Sequence, residues 1–232
     1  FIVNPNSRSG KGALIWKELR RTLQQKHISY KAVFTGYRGH AVKLAASVTA
    51  KASPEHPVYL IAVGGDGTIQ EVLSGVKDLS CIYFGYIPTG SGNDFCRSMQ
   101  LPQDPHEALD CILKRKHIAS MDVPVISIKG RKSHFAISCG IGFDAAVCHE
   151  VSVTPMKKIL NRVGLGKLVY RFVALKQLLF LKPGPVTLRM DEERIYPFHK
   201  VYFAAVMNQK YEGGGFKFCP DASPSDGYLD VI

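Results

Sequence analysis

Residues 58–76, VYLIAVGGDGTIQEVLSGV, constrain the fold more than any other stretch of the chain. An unbroken apolar run, 58–63, enters a loop in which three glycines surround one aspartate. Ile69, Val72, Leu73 and Val76 then recur at the spacing of one helix face. A strand apolar on both faces that passes directly into a helix belongs to a parallel sheet covered by helices.

The flanking sequence repeats the pattern. Short strands are expected at 1–3, 30–34, 58–63 and 82–87, and helices follow the first three. The helix after the first strand carries Leu14, Ile15, Leu19 and Leu23 on its apolar side, and the second covers 40–50. Asp104-Pro105-His106-Glu107 opens a further helix with a cap, a first-turn proline and an acid three residues on. From about Met121 the character changes to short alternating strands in VPVISIKG, SHFAISCGIGF, PVTLRM and HKVYFAAVMN, interrupted by a basic helical stretch at 157–181. The expected architecture is an α/β domain with a parallel sheet over 1–120, then a mainly antiparallel β domain over 121–232. Both ends of the chain fall inside apolar strand-like runs, so flanking sequence is expected.

Glycines at 64, 65 and 67 permit close approach to the backbone, and a strand–loop–helix junction offers N–H groups and a helix dipole to an anion. Asp66 is the exception, because a carboxylate beside a phosphate is repelled unless a cation or a transferable proton lies between them. Its readings are Mg²⁺ coordination, a base near an acceptor hydroxyl, or a plain turn carboxylate. Thr68 and Glu71 have the spacing of a capping box, which expects Thr68 at the helix cap. Two more loops share this character. NPNSRSGKG (4–12) offers Asn4, Ser7, Ser9 and Lys11 but is not a Walker A loop, lacking the first glycine and the Ser/Thr after the lysine. PTGSGNDF (88–95) offers Thr89, Ser91 and Asn93, with Asp94 as a second acid. Three such loops at the carboxyl ends of strands in one parallel sheet converge where α/β proteins bind ligands, so a nucleotide is expected there.

GGDGT at 64–68, TGSGND at 89–94, NPNS at 4–7, GIGFDAAV at 140–147 and GGGFKFCPDASPSDGYLDV at 213–231 together resemble the diacylglycerol kinase catalytic domain family, related to sphingosine and NAD kinases. The resemblance covers essentially the whole chain, and the last blocks are similar to the soluble bacterial lipid kinases. It implies an N-terminal three-layer α/β domain, a C-terminal antiparallel β-sandwich and ATP in the cleft between them. It implies nucleotide contacts from residues 64–70, Thr35 and Thr89. With the donors of the neighbouring loops, the candidate nucleotide set is Asn4, Ser9, Thr35, Gly64, Gly65, Asp66, Gly67, Thr68, Ile69, Gln70, Glu71, Thr89, Ser91, Gly92 and Asn93. The candidate catalytic acids are Asp66, Asp94 and Asp122. The resemblance also implies a structural Mg²⁺ held by Asp226 with main-chain oxygens of Ser223 and Tyr228, linked towards the active site through Asp122. Without it, DASPSDGYLD is an acidic turn that fails the EF-hand pattern. The family's further acid, near its last strand, serves as base and is expected beyond Ile232.

A lipid kinase works at a membrane. Residues 157–182 carry Lys157, Lys158, Arg162, Lys167, Arg171, Lys176 and Lys182, with Leu168, Phe172, Leu175 and Leu179 along one helical side. Two readings stand: an interfacial helix drawn to an anionic membrane surface, or a helix packed on the sandwich with solvated lysines. Asp144, in the GIGFDAAV block, is the candidate for receiving the lipid hydroxyl, or else a strand-end carboxylate. The net charge of +11 calls for an anionic partner. A nucleic-acid binder would explain it but leaves three phosphate-type loops unused and shows no recognition motif. The six cysteines contain no C-x-x-C pair, and no apolar run approaches the ~20 residues of a membrane span. The expectation is a cytoplasmic enzyme peripheral to the membrane, phosphorylating diacylglycerol, with a homodimer compatible with the reading. The alternatives are a sphingosine or other lipid kinase, and a non-catalytic nucleotide-binding regulator at the membrane.

Overall fold

The computed structural model describes residues 1–116, 118–142, 182–191 and 194–232. Asp144 and residues 157–181 of the basic stretch lie outside them. The chain divides into two compact units, one formed by 1–137 with 208–228, the other by 138–207 with 229–232.

In the first unit, strands β1 (Ile2–Val3), β2 (Val33–Phe34), β3 (Val58–Gly64) and β4 (Ile82–Pro88) form a parallel sheet in the order β2-β1-β3-β4. Helices α1 (Lys11–Gln25), α2 (His40–Val48), α3 (Asp66–Gly75), α4 (Asp94–Ser98) and α5 (Pro105–Leu113) complete it. Alternate strand residues face opposite layers. Ile2, Leu60 and Ala62 pack with Ala41 and Ala45 of α2 and Ile69, Val72 and Leu73 of α3. Val3, Ile61, Val63 and Ile87 pack with Trp16, Leu19 and Leu23 of α1 and Ala108 and Leu109 of α5. The expected three-layer arrangement is therefore present, with both faces of the sheet covered. Helix α5 starts as its sequence indicates, the Asp104 carboxylate accepting the N–H groups of His106 and Glu107.

The first unit also holds a hairpin, β5 (Val125–Ile128) and β6 (Arg131–His134). Its two-residue turn, Lys129-Gly130, has φ of 49° and 76°, the left-handed pair that a tight hairpin turn requires. Ser74 of α3 accepts the His134 N–H and lies 2.9 Å from Ser133 Oγ, which docks the hairpin on the helix.

The described strands of the second unit all pair antiparallel. Strands β7 (Ser138–Gly142), β10 (Phe203–Met207) and β11 (Asp230–Val231) form a sheet in the order β11-β10-β7. Strands β8 (Gly184–Met190) and β9 (Arg194–Val201) pair as a separate hairpin. Val186, Leu188, Phe198, Phe203 and Val231 contribute to an open apolar depression of about 550 Å³ in this unit. Among the described residues, no helix is long and apolar enough to cross a membrane.

Candidate active site

The strand order reverses direction at β1 and β3, because the chain leaves β1 for β2 on one side and returns to β3 on the other. In open parallel sheets, ligands sit outside the carboxyl ends of the strands at such a point. The loops after β1 and β3 meet there. The Asn4 N–H donates to Val63 O at 2.8 Å, and Asn4 Nδ2 donates to Thr68 Oγ1 at 3.1 Å. The loop after β4 joins them through Thr89. Its N–H donates to Gly64 O at 2.7 Å, and its buried hydroxyl lies 2.7 Å from Ser7 Oγ. Three loops expected to converge are thus hydrogen-bonded to one another.

The glycines make this convergence possible. A Cβ on Gly90 would stand 2.6 Å from Gly65 Cα, and one on Gly65 would stand 3.1 Å from Gly90 Cα. The two glycine loops therefore pack backbone to backbone. A Cβ on Gly64 would overlap the Thr68 side chain. Part of the glycine requirement is thus met inside the protein, before any ligand arrives. Gly67 differs: it is exposed, and a Cβ there meets nothing within 4 Å.

The capping-box expectation is corrected. Helix α3 begins at Asp66, two residues before Thr68, and its cap residue is Gly65, with no side-chain cap bond. Thr68 lies in the first turn, where its hydroxyl receives Asn4. Glu71 reaches instead to α2, accepting the N–H groups of Gly39 at 2.8 Å and Ala41 at 3.2 Å.

Asp66 is half-buried at the start of α3. Its Oδ2 accepts the Asp94 N–H at 3.2 Å and its Oδ1 the Phe95 N–H at 3.3 Å, so it caps the first turn of α4 from another loop. Burial and then the nearby Asp94 carboxylate push the Asp66 carboxyl above the usual carboxylate range, against the pull of those N–H groups. Asp94 is 5% exposed, and both of its oxygens are engaged: Oδ1 by Arg97 at 3.0 Å, Oδ2 by the Gly214 N–H at 2.7 Å. Arg97 also donates to Gly92 O. Asn93 sits at φ 56°, its Oδ1 accepting the Gly90 N–H, with the Tyr86 hydroxyl 3.1 Å away. Tyr86, Arg97 and Gly214 were not singled out from the sequence. Tyr86 reads as a strand residue, and Gly214 is far away along the chain.

The remaining candidates fall as follows. Ser9, Gln70 and Ser91 are exposed, and Ile69 is fully buried in the layer between the sheet and α3. Ile69 has only its backbone to offer a ligand, and its N–H already bonds Gly65 O. Thr35 is buried after β2, its N–H bonded to Val3 O. Asp122 meets the acidic turn. Its N–H donates to Pro224 O at 2.6 Å, and its Oδ2 accepts the Gly227 N–H at 2.9 Å. Asp226 Oδ1 accepts the Tyr228 N–H at 3.0 Å, and Ser223 Oγ lies 3.5 Å from Ser225 Oγ. The donors at this turn are all oxygens, a set that fits Mg²⁺ or a similar hard cation. Among the described residues, no group of three or more His, Cys, Asp or Glu side chains could hold a metal. The main-chain oxygens would therefore have to complete the set. Asp66 also fits, since each carboxylate oxygen keeps a lone pair beyond the N–H that it accepts.

Residues 1–125 match the family described as the diacylglycerol kinase catalytic domain, and residues 138–232 match the YegS C-terminal NAD kinase beta sandwich-like domain. A Bacillus subtilis (strain 168) protein named "Putative lipid kinase YtlR" is 30% identical over 238 residues, which covers 100% of this chain and 75% of that protein. A diacylglycerol kinase of Staphylococcus saprophyticus is 28% identical, covering 100% of this chain and 71% of its own length. A solved structure of a diacylglycerol kinase from Bacillus anthracis str. Sterne superimposes with a TM-score of 0.71 at 25% identity, covering 99% of this chain and 70% of that one. The match over residues 1–125 spans more than half of the 232 residues, and the chain belongs to the diacylglycerol kinase catalytic domain family.

Proposed function

We propose that the protein transfers the γ-phosphate of ATP to the hydroxyl of a membrane lipid, diacylglycerol being the acceptor and phosphatidic acid the product. Membership of a lipid kinase family supports the reaction class, and the names of the relatives support the acceptor. The observation that carries the reading is the junction of the 4–12, 64–68 and 88–95 loops at the switch point, with Asp66 bonded across to the last of them. Loop amides and the N-terminus of α3 face an anion favourably, and Asn4, Thr68 and Thr89 place side-chain hydroxyl and amide groups there. In the transfer, the acceptor oxygen bonds to the γ-phosphorus, the bond from that phosphorus to ADP breaks, and the hydroxyl proton leaves to a base. Asp66 supplies the carboxylate that orients the hydroxyl. Asp66 would face the Mg²⁺ that accompanies ATP, an ion whose charge offsets that of the phosphates, and Asp122 with the main-chain oxygens of the 223–228 turn would hold a second, structural ion.

In this reading, residues 1–120 serve the nucleotide and 121–232 serve the lipid and the structural ion. The open apolar depression of the second unit, lined by Val186, Leu188 and Phe198 among others, supports an acyl-bearing acceptor. The charge of +11 supports work at an anionic membrane surface.

The test uses γ-labelled ATP, Mg²⁺ and mixed micelles, each with one candidate among diacylglycerol, sphingosine, ceramide and monoacylglycerol, and NAD as a soluble control. Label on diacylglycerol supports the reading, and label on another lipid replaces the acceptor. Nucleotide binding without any transfer would overturn the reading in favour of a regulator.

A further inference from the structure

Helix α2 begins without a cap of its own. Its cap residue, Gly39, sits at φ 84° and offers no side chain, and no acid occupies the first turn. The first N–H groups of a helix need partners, and here they come from α3. The Glu71 carboxylate takes Gly39 N–H on Oε1 and Ala41 N–H on Oε2, across 32 and 30 residues of chain. A negative charge at this end also complements the helix dipole.

Three further contacts hold the elements on either side of this bridge. Glu71 and Gly75 are four residues apart on α3 and so share one face. A Cβ on Gly75 would overlap the Val42 carbonyl, so the two helices touch along this face without a spacer. On the other side of the turn, the Gly36 N–H donates to His40 Nδ1 at 3.0 Å and the Thr35 N–H donates to Val3 O at 2.9 Å. The whole turn from 35 to 41 is thus fixed from β1 at one end and from α3 at the other.

We propose that Glu71 is a positioning residue that clamps the turn 35–41, which follows β2 at the carboxyl edge of the sheet, to α3, and that it fixes this edge of the nucleotide site without touching the nucleotide itself. The Glu71 carboxylate is turned to and bonded to the N-terminus of α2, and its charge would repel a phosphate brought beside it. The same bonds withdraw the Gly39 and Ala41 N–H groups from the phosphate donors, so the anion belongs at the α3 side of the site. The positioning role rests on the reading of this site as a nucleotide site.

The test compares full-chain Glu71→Ala and Glu71→Gln with wild type. It measures amide hydrogen exchange at Gly39 and Ala41, the Kd for a non-hydrolysable ATP analogue, and kcat at saturating ATP. In Glu71→Ala, exchange at both amides is expected to accelerate about tenfold or more, as local opening becomes easier. The Kd is expected to rise about tenfold while kcat falls less than about threefold, the pattern of lost binding without lost transition-state contact. Glu71→Gln, which keeps one acceptor oxygen, should recover part of both effects. Unchanged exchange or unchanged Kd overturns the clamp, and an unchanged Kd with a lost kcat would make Glu71 a catalytic residue instead. If Glu71→Ala does not fold, Glu71→Gln carries the test: one of the two amides must lose protection and the Kd must rise. A wild type that binds the analogue but transfers no phosphate to lipid defeats the kinase reading, while exchange and Kd still decide the clamp.

Discussion

The backbone N–H of Gly214 donates to Oδ2 of Asp94 at 2.7 Å across 120 residues of chain. Arg97 holds the other oxygen of the same carboxylate at 3.0 Å, so one buried acid ties the 213–215 turn to the loop after β4. This arrangement makes Asp94 an anchor before it can be anything else. Asp94→Ala leaves the Gly214 N–H without this acceptor and Arg97 without its counter-charge. Removing one partner of such a pair costs about 3 kcal/mol when buried, somewhat less here because the Arg97 side chain is 23% exposed. Urea denaturation should show a loss of about 2–3 kcal/mol for Asp94→Ala, and a smaller loss for Asp94→Asn, which keeps an acceptor for Gly214. Equal stability of Asp94→Ala and wild type would remove the anchor.

Asp66 sets a pH dependence whose sign follows from its surroundings. Its folded-state carboxyl is held above the ordinary 3.8 by burial and by Asp94. A group with a raised folded pKa contributes stability that is fully present below its unfolded value and is lost as pH rises through the folded value. Asp66→Asn carries no such pH-dependent loss. Its stability relative to wild type should therefore increase from acid towards neutral pH, while phosphoryl transfer is nearly abolished. Transfer in wild type needs the carboxylate, so its acid limb should lie above the usual aspartate range and move down in Asp94→Asn. Thermal melts and rate profiles across pH check both statements; wild-type turnover by Asp66→Asn would exclude Asp66 from the mechanism.

Gly90 offers a purely steric test. Its added Cβ would face the Gly65 backbone at 2.6 Å and Asn93 Oδ1 at 2.7 Å, and a backbone neighbour cannot swing away. Gly90→Ala is expected to cost about 1–3 kcal/mol by overpacking. It should also weaken ATP binding, because the two loops it separates form the site. Calorimetry and chemical denaturation read the two effects side by side; a Gly90→Ala protein with wild-type values for both would contradict the packing.

Much of the α/β unit was legible because its signals are local. The apolar run at 58–63 became β3, and Asp104-Pro105 became the start of α5, each within a residue or two. Convergence of the three loops was legible too, since parallel strands place their exits on one edge. The capping box does not form because Thr68 and Glu71 match a local pattern whose partners lie elsewhere: Asn4 and the N-terminus of α2 win those hydrogen bonds. The contact of Asp94 with Gly214 was invisible for the same reason, and that of Asp122 with the 224–227 turn was expected from the family resemblance alone. No periodicity marks a bond that spans a hundred residues, and only tertiary packing decides it.

Gly67 separates the glycines that the fold needs from those that a ligand needs. Gly64, Gly65 and Gly90 are required by neighbours within the protein, but a Cβ on Gly67 meets nothing within 4 Å and its backbone is that of the first turn of α3. By fold physics alone, Gly67→Ala should stabilise the protein by about 0.4–1 kcal/mol, since alanine loses less chain entropy in a helix. If the open space above Gly67 is where the phosphates of ATP approach the backbone, the same methyl group occupies part of it. The expected outcome is a higher melting temperature together with at least about a tenfold loss of ATP affinity, equivalent to about 1.4 kcal/mol. A stabilised variant that binds ATP as wild type does would place the phosphates away from the α3 N-terminus, towards the 4–12 loop, and Asp66 would no longer stand beside the transferred group.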